Sequence, residues 1–394
     1  MNLIDTVLAM TDEVETPRSY IKWATLAAIS AIVKKNVWTE KYAYKVYPNI
    51  YVMLVGPPGI TKSYATSLSK QMVESINNTK VISGMNSIEG MIQEMGSASL
   101  DERGLPVVGT NAFICSNEFT NLLLDNPQAF SVLTELYDAC YNIGNSWKKT
   151  LKSGKVELKD PYLTMISASN TAHFNDKLRT VDIEGGFIGR TMVVLEKDRH
   201  RINSLIRKPG RTFNVTELKD ELLRISRLKG EFRWADEKTM SLYETWDMDF
   251  KNQTKTDTTG TFRRMPDHVV KVAMLSAIAE GDDLIFTYPI IERAISTCEQ
   301  LITNIRSVTA GSGSAANSQA IYKFMQDLIG ADGYRMDHSM MLKKNYGNFD
   351  VWEMAKIVET LTQAKVITME IIGPRTYYQL TNDAVVNYLR GKES

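Results

Sequence analysis

Ile50-Tyr51-Val52-Met53-Leu54-Val55-Gly56-Pro57-Pro58-Gly59-Ile60-Thr61-Lys62-Ser63 joins an unbroken apolar run to a turn made of glycine and proline. A run of this kind, with no polar alternation, predicts a strand buried on both faces, the habit of parallel sheets. The turn keeps the spacing G-x-x-x-x-G-K-[ST], with Thr61 where the second glycine belongs. In that pattern successive backbone N–H groups and a helix N-terminus wrap phosphate oxygens. Lys62 reaches the outer phosphates and Ser63 offers a hydroxyl to a divalent cation. Gly56 through Ser63 are therefore expected to line a phosphate site, and Ser63 to Ile76 to form the helix that the loop caps. An ordinary Gly/Pro turn before a helix is the alternative; strand, Lys-Ser and helix in succession argue against it.

Upstream, Tyr20 to Val33 is apolar on most faces and reads as a buried helix starting near Pro17, followed by an extended connection. Downstream, Ala112–Cys115, Tyr162–Ser167 and Thr191–Leu195 are further apolar runs of strand length. Strands separated by helical stretches predict an α/β fold with a parallel sheet covered on both sides. From Val215 to Val308 the pattern turns helical. Ala310-Gly-Ser-Gly-Ser-Ala-Ala316 reads as a flexible linker. Beyond it, helices at Gln319–Ile329 and Val351–Ala364 precede two strands, Val366–Ile372 and Arg375–Leu380, joined by Gly373-Pro374. That is the outline of a winged helix.

The phosphate loop needs partners on neighbouring strands. Phe113-Ile-Cys-Ser-Asn117-Glu118 ends a strand in a carboxylate, so Glu118 is expected to prepare an attacking water. Asn117, or Ser116 if the register shifts, stands where an aspartate is usual; an amide there would orient a metal-bound water without supplying charge. Ile166-Ser-Ala-Ser-Asn170 ends another strand in an amide able to hold that water or a γ-phosphate, although a turn-forming asparagine looks the same. In Gly185-Gly-Phe-Ile-Gly-Arg190 an arginine precedes an apolar strand and suits neutralisation of transition-state charge on phosphate, with Arg179 as competitor. The expected ligands are ATP and Mg²⁺.

In this order the motifs, together with the upstream Thr16-Pro-Arg-Ser-Tyr-Ile-Lys-Trp23, resemble the AAA+-type helicase-like ATPases of phages and mobile genetic elements. The likeness covers roughly residues 10–310, and the distal motifs are similar to those of minichromosome-maintenance helicases. The resemblance implies an AAA+-type core with a helical lid, working as a hexameric ring with ATP between subunits. Lys62, Ser63, Glu118 and Asn170 would then act on their own nucleotide and Arg190 on the neighbour's. Arg264 falls where the lid's second-sensor arginine lies, with Arg263 beside it. Trp147-Lys148-Lys149-Thr-Leu-Lys152-Ser-Gly-Lys155 reads as a hairpin turning at Ser153-Gly154. In the similar helicases a hairpin at this place grips DNA phosphates inside the ring, a task that asks for charge more than sequence readout. Lysines also simply protect exposed hairpins from aggregation.

These readings divide the chain into a leader (1–48), an ATPase core (49–212), a lid (213–309), a linker (310–318) and a winged-helix domain (319–394). The expected activity is a ring-forming DNA helicase or translocase, acting on single-stranded or forked DNA alongside replication proteins. The rivals are a helicase loader without unwinding activity and a nearly inactive nucleotide switch. In the last segment Arg335, Lys343, Lys344, Lys356 and Arg375 alternate with Tyr334, Tyr346, Tyr377 and Tyr378, which suits either DNA or protein contacts.

Bulk composition sets limits. Lys+Arg and Asp+Glu are 46 each in 394 residues, so any nucleic acid must meet a local patch rather than a global field. Cys115, Cys140 and Cys298 lack metal spacing, which favours a reducing cytoplasm. Trp23 to Val33, the longest apolar run, is too short to span a bilayer, so no membrane partner is expected.

Overall fold

The computed structural model describes residues 2–83, 88–96, 110–119, 129–141, 146–151, 154–171, 174, 186–203, 210, 212–255, 262–281, 283–309, 315–345, 349, 351–373, 375–382 and 385. The chain divides into two compact units, Met1–Val308 and Thr309–Ser394. Residues 1–48, read as a leader, fall within the first unit.

Two helices open that unit, α1 (Leu3–Met10) and α2 (Arg18–Val33). Between Tyr20 and Val33 only Lys22 escapes burial, which is why the segment carries no polar face. A small hairpin follows, β1 (Val37–Lys41) and β2 (Tyr44–Val46), and then β3 (Tyr51–Val55), the run that leads into the glycine–proline turn. After it come α3 (Lys62–Glu74), β4 (Lys80–Ser83), α4 (Ile88–Gly96), β5 (Asn111–Ser116) and α5 (Ala129–Ala139). The hairpin β6 (Ser146–Leu151) and β7 (Gly154–Lys159) leads into β8 (Tyr162–Ser169), and β9 (Thr191–Leu195) closes the series.

Five of these strands form one parallel sheet in the order β4-β5-β8-β3-β9. All residues of β3 and β8 are buried, as expected of central strands with helices on both faces. The fold of this unit is α/β with a parallel sheet, in keeping with the sequence pattern. The chain runs β4, β5, β8 across the sheet and then steps over β3 to β9. A crevice at the carboxyl ends, beside the strand where the winding reverses, is where α/β sheets hold ligands.

The rest of the unit is mainly helical: α6 (Lys219–Arg227), α7 (Glu237–Gln253), α8 (Met265–Glu280) and α9 (Tyr288–Thr309). Short strands interrupt it. Gly230–Glu231 pairs in parallel with β1, and Arg233–Trp234 with Ile285–Phe286.

The second unit contains α10 (Ala315–Ile329), β10 (Arg335–Asp337), α11 (His338–Asn345), α12 (Val351–Gln363), β11 (Ile367–Ile372) and β12 (Arg375–Leu380). Its three strands are antiparallel, with β12 in the middle. Phe324, Leu328, Met341, Met354, Ile357 and Tyr378 are part of a core of its own. Tyr378 is therefore a core residue and not a surface aromatic. Arg335 pairs with Glu370 at 2.7 Å and lies over the Tyr377 ring, while Lys344 meets the buried Asp327 at 2.9 Å. Lys343 and Arg375 are exposed; Tyr346 and the side chain of Lys356 lie outside the described residues.

Among the described residues, no helix is long and apolar enough to cross a membrane. Cys115, Cys140 and Cys298 are buried free thiols.

Candidate functional site

The carboxyl edge of the sheet collects the residues expected to handle phosphate. Gly56 leaves β3 with its N–H donating to the Ser169 carbonyl at the end of β8, at 3.3 Å. A Cβ there would stand 2.5 Å from Tyr20 Oη and 2.6 Å from the Glu196 carbonyl oxygen, so only glycine fits. Gly59 (φ +81°) and Thr61 (φ +59°) are both left-handed. For glycine this costs little; for a β-branched threonine it is a strained conformation. Alternation of left- and right-handed residues turns successive N–H groups toward one concavity, which is how backbone binds anions.

Lys62 opens α3, and its ammonium donates to the carbonyls of Gly56 (2.7 Å) and Pro57 (2.9 Å), so the charge spans the loop's own concavity. Burial lowers its pKa below the usual lysine value, while the Glu118 carboxylate works in the other direction. That coupling brings the acid after β5 into the field of the loop lysine. Asn117 and Glu118 are both exposed, and the Thr66 hydroxyl, one turn into α3 beyond Ser63, donates to Asn117 Oδ1. The amide thus faces the first turn of the helix whose exposed Ser63 hydroxyl is the expected cation ligand. Ser116 Oγ ties the bend by donating to the Glu118 carbonyl at 2.8 Å. Asn170, half-buried, follows β8 directly, one strand from β3.

Arg190 lies at the other end. Thr191 pairs with Tyr51 and Leu195 with Val55, so the arginine sits at the amino edge of the sheet. About 20 Å of strand separates it from the loop edge at roughly 3.3 Å per residue. The residue is only 9 % exposed. Nε donates to Asp138 Oδ1 at 3.1 Å, Nη2 donates to Asp138 Oδ2, and Nη1 donates to the Gly186 carbonyl at 2.7 Å. Arg264, preceding α8, reaches the same carboxylate at 3.1 and 3.2 Å. Arg190, expected as a finger, is thus buried and held by a carboxylate of its own chain. Two arginines from different segments converge on one carboxylate of α5, and sequence spacing gave no hint of the Asp.

Two buried groups of α8 complete that corner, and neither was legible. His268 lies 2.9 Å from the Gly189 carbonyl through Nε2; burial, aided by nearby Lys271, pushes its pKa down to about 4. The ring is therefore neutral near pH 7 and, contacting a carbonyl, donates from Nε2. Lys271, fully buried, donates to Asn49 O (2.8 Å), Asn49 Oδ1 (2.6 Å) and Tyr137 Oη (2.9 Å), and its ammonium lies 4.2 Å from the Tyr137 ring centre. Burial lowers its pKa to about 8.

The hairpin β6–β7 pairs from Ser146↔Lys159 to Leu151↔Gly154, so Gly154 belongs to the second strand and not to the turn. Leu158 is buried, and a Cβ added at Gly96 of α4 would meet Val156 at 3.1 Å, so one face of the hairpin rests on that helix. Lys148 points to solvent and lies 3.5 Å from Glu157; Lys149 is half-exposed. Lys152, the side chain of Lys155, and Arg179 lie outside the described residues.

No protein-family model matches the chain, and no curated protein matches it.

Proposed function

We propose that the chain is an ATP-driven motor of the AAA+ type, forming a hexameric ring of identical subunits that moves along single-stranded or forked DNA. One observation carries the reading. Lys62, Ser63, Glu118 and Asn170 follow three adjacent strands at the carboxyl edge, while Arg190 and Arg264 lie together at the amino edge. An arginine pair so far from its own loop suits a site completed by a second copy. The strand order β4-β5-β8-β3-β9, the hairpin inserted before β8 and the helical segment after β9 agree with an AAA+-type core and lid. The helix-strand-helix-helix-strand-strand order of the second unit agrees with a winged helix.

In this reading the loop amides from Gly59 to Ser63 and the Lys62 ammonium hold the phosphates. Ser63 and Asn117 are the residues suited to hold Mg²⁺, which when bound neutralises triphosphate charge. An amide in place of a carboxylate at Asn117 lowers the affinity for that ion. Glu118 takes a proton from a water that Asn170 positions. The water oxygen bonds to the γ-phosphorus as the bond to the β-phosphate oxygen breaks, releasing ADP and phosphate. Arg190 and Arg264 leave Asp138 and offset charge on the neighbouring subunit's γ-phosphate. Lys148, Lys149, Lys152 and Lys155 of the hairpin meet the DNA backbone.

Subunit mixing tests the shared site. Arg190→Ala and Lys62→Ala are each expected to abolish turnover, and mixtures to regain part of it through interfaces with an intact loop and an intact arginine. No rescue at any ratio, with a monomer in ATP, contradicts the ring. Fork binding without strand displacement by the wild type assigns the chain to loading rather than unwinding.

A further inference from the structure

The turn between α1 and α2 is packed onto the phosphate loop from outside. Thr16 is 1 % exposed, and its hydroxyl lies 2.8 Å from the hydroxyl of Thr61 and 3.4 Å from the Thr61 carbonyl oxygen. The Thr61 hydroxyl itself lies 2.7 Å from the Ile60 carbonyl, to which it can only donate. A hydroxyl has a single proton, so with the Thr61 proton spent on Ile60, Thr16 is the donor to Thr61 Oγ1. The chain Thr16→Thr61→Ile60 fixes the side chain of the residue that replaces the loop's second glycine.

The same turn grips the far side of the loop. Glu15, 6 % exposed, accepts from Arg199 Nη1 at 2.6 Å and from the Asn203 N–H at 2.9 Å. The other terminal nitrogen of Arg199 stands 3.5 Å from the place a Cβ on Gly59 would take. Ser19 and Tyr20, at the start of α2, hold the base of the loop: Ser19 donates to Glu196 Oε1 at 2.5 Å and Tyr20 to the Val55 carbonyl at 2.6 Å.

We propose that Thr16 is a positioning residue for the nucleotide phosphates, acting through Thr61. A threonine prefers extended backbone, and relaxing there would swing the Thr61 N–H out of the concavity. The hydroxyl bridge from Thr16 holds Thr61 left-handed, so the loop does not need the glycine that its sequence lacks. Thr16 and Thr61 form one unit, and a glycine at 61 makes the hydroxyl at 16 dispensable. This inference rests on reading Gly56–Ser63 as a phosphate loop.

The test is titration of a fluorescent N-methylanthraniloyl-ATP into wild type, Thr16→Val, Thr16→Ser, Thr61→Gly and the Thr16→Val/Thr61→Gly double variant, with Lys62→Ala as the site control. Loss of a buried hydrogen bond that holds a strained residue should weaken binding about five- to tenfold in Thr16→Val. Thr16→Ser should restore near-wild-type affinity. On the Thr61→Gly background Thr16→Val should change affinity less than about twofold, the non-additivity expected of residues in one network. Equal loss on both backgrounds, or no rescue by serine, overturns the proposal. If Thr16→Val does not fold, the Thr61→Gly pair still decides: the double variant must fold and bind like Thr61→Gly alone. Lys62→Ala weakening binding while Thr16→Val does not defeats the brace alone. Wild-type binding that Lys62→Ala leaves intact defeats the site reading together with the brace.

Discussion

Asp138→Asn removes the one charge that both amino-edge arginines share. In the wild type four hydrogen bonds or ion contacts from Arg190 and Arg264 end on its two carboxylate oxygens. Asparagine keeps one acceptor oxygen and turns an NH₂ group toward guanidinium donors, so about half of those contacts become donor against donor. Breaking a fully buried ion pair costs about 3–5 kcal/mol. Here Asp138 is 36 % and Arg264 31 % exposed, and solvent screening of those two ends brings the expectation down to about 2–3 kcal/mol. With an unfolding entropy of about 2.1 cal/mol/K per residue over the first unit, the melting temperature should fall by about 3–5 °C. ATP affinity should hold, because the loop lies at the other edge of the sheet. The assay is a thermal melt beside an ATP-binding titration. An unchanged melting temperature would refute the clasp, and a large loss of ATP affinity would refute the separation of the two edges.

Lys271 gives a pH signature. Its folded pKa of about 8 lies below the usual lysine value of 10.5, so in that window the unfolded chain binds a proton that the folded chain lacks. Stability from this group therefore rises as pH rises from about 8 toward 10.5, by about 3 kcal/mol over the full window. The difference in stability between wild type and Lys271→Met, followed by denaturant melts, should change by this amount and sign; a flat difference contradicts it. For the hairpin, Lys148→Ala/Lys149→Ala should reduce the salt slope of single-strand DNA binding by about 1.4 if both lysines meet phosphates. An unchanged slope with unchanged strand displacement moves DNA contact elsewhere.

β3, β5, β8 and β9 were legible because burial of nearly every residue leaves no polar alternation along their four apolar runs. β4 was not, since Lys80–Ser83 is a short edge strand with only Ile82 fully buried. In the second unit, Arg335–Asp337 and the helix after it escaped notice because neither carries a long periodic pattern. The site divides the same way. The turn at residues 56–63 was legible because its residues are contiguous in the chain. Asp138, His268, Lys271, Thr16 and Arg199 were not, because each finds its partner on a segment distant in sequence: Asp138 meets Arg264 and Thr16 meets Thr61. Burial of Arg190 is a similar case, since Gly-Phe-Ile-Gly-Arg gives no sign of the carboxylate that covers it.

ATP hydrolysis at the loop is the claim on which the rest depends. The direct measurement is phosphate release by wild type, Lys62→Ala and Glu118→Gln, each paired with ATP-binding titration. Wild type should turn over ATP. Lys62→Ala should lose both binding and turnover, because the charge that spans the loop is gone. Glu118→Gln should bind ATP near the wild-type affinity and release almost no phosphate, since the cradle is intact and the base is not. Phosphate release by Lys62→Ala at the wild-type rate would contradict the account.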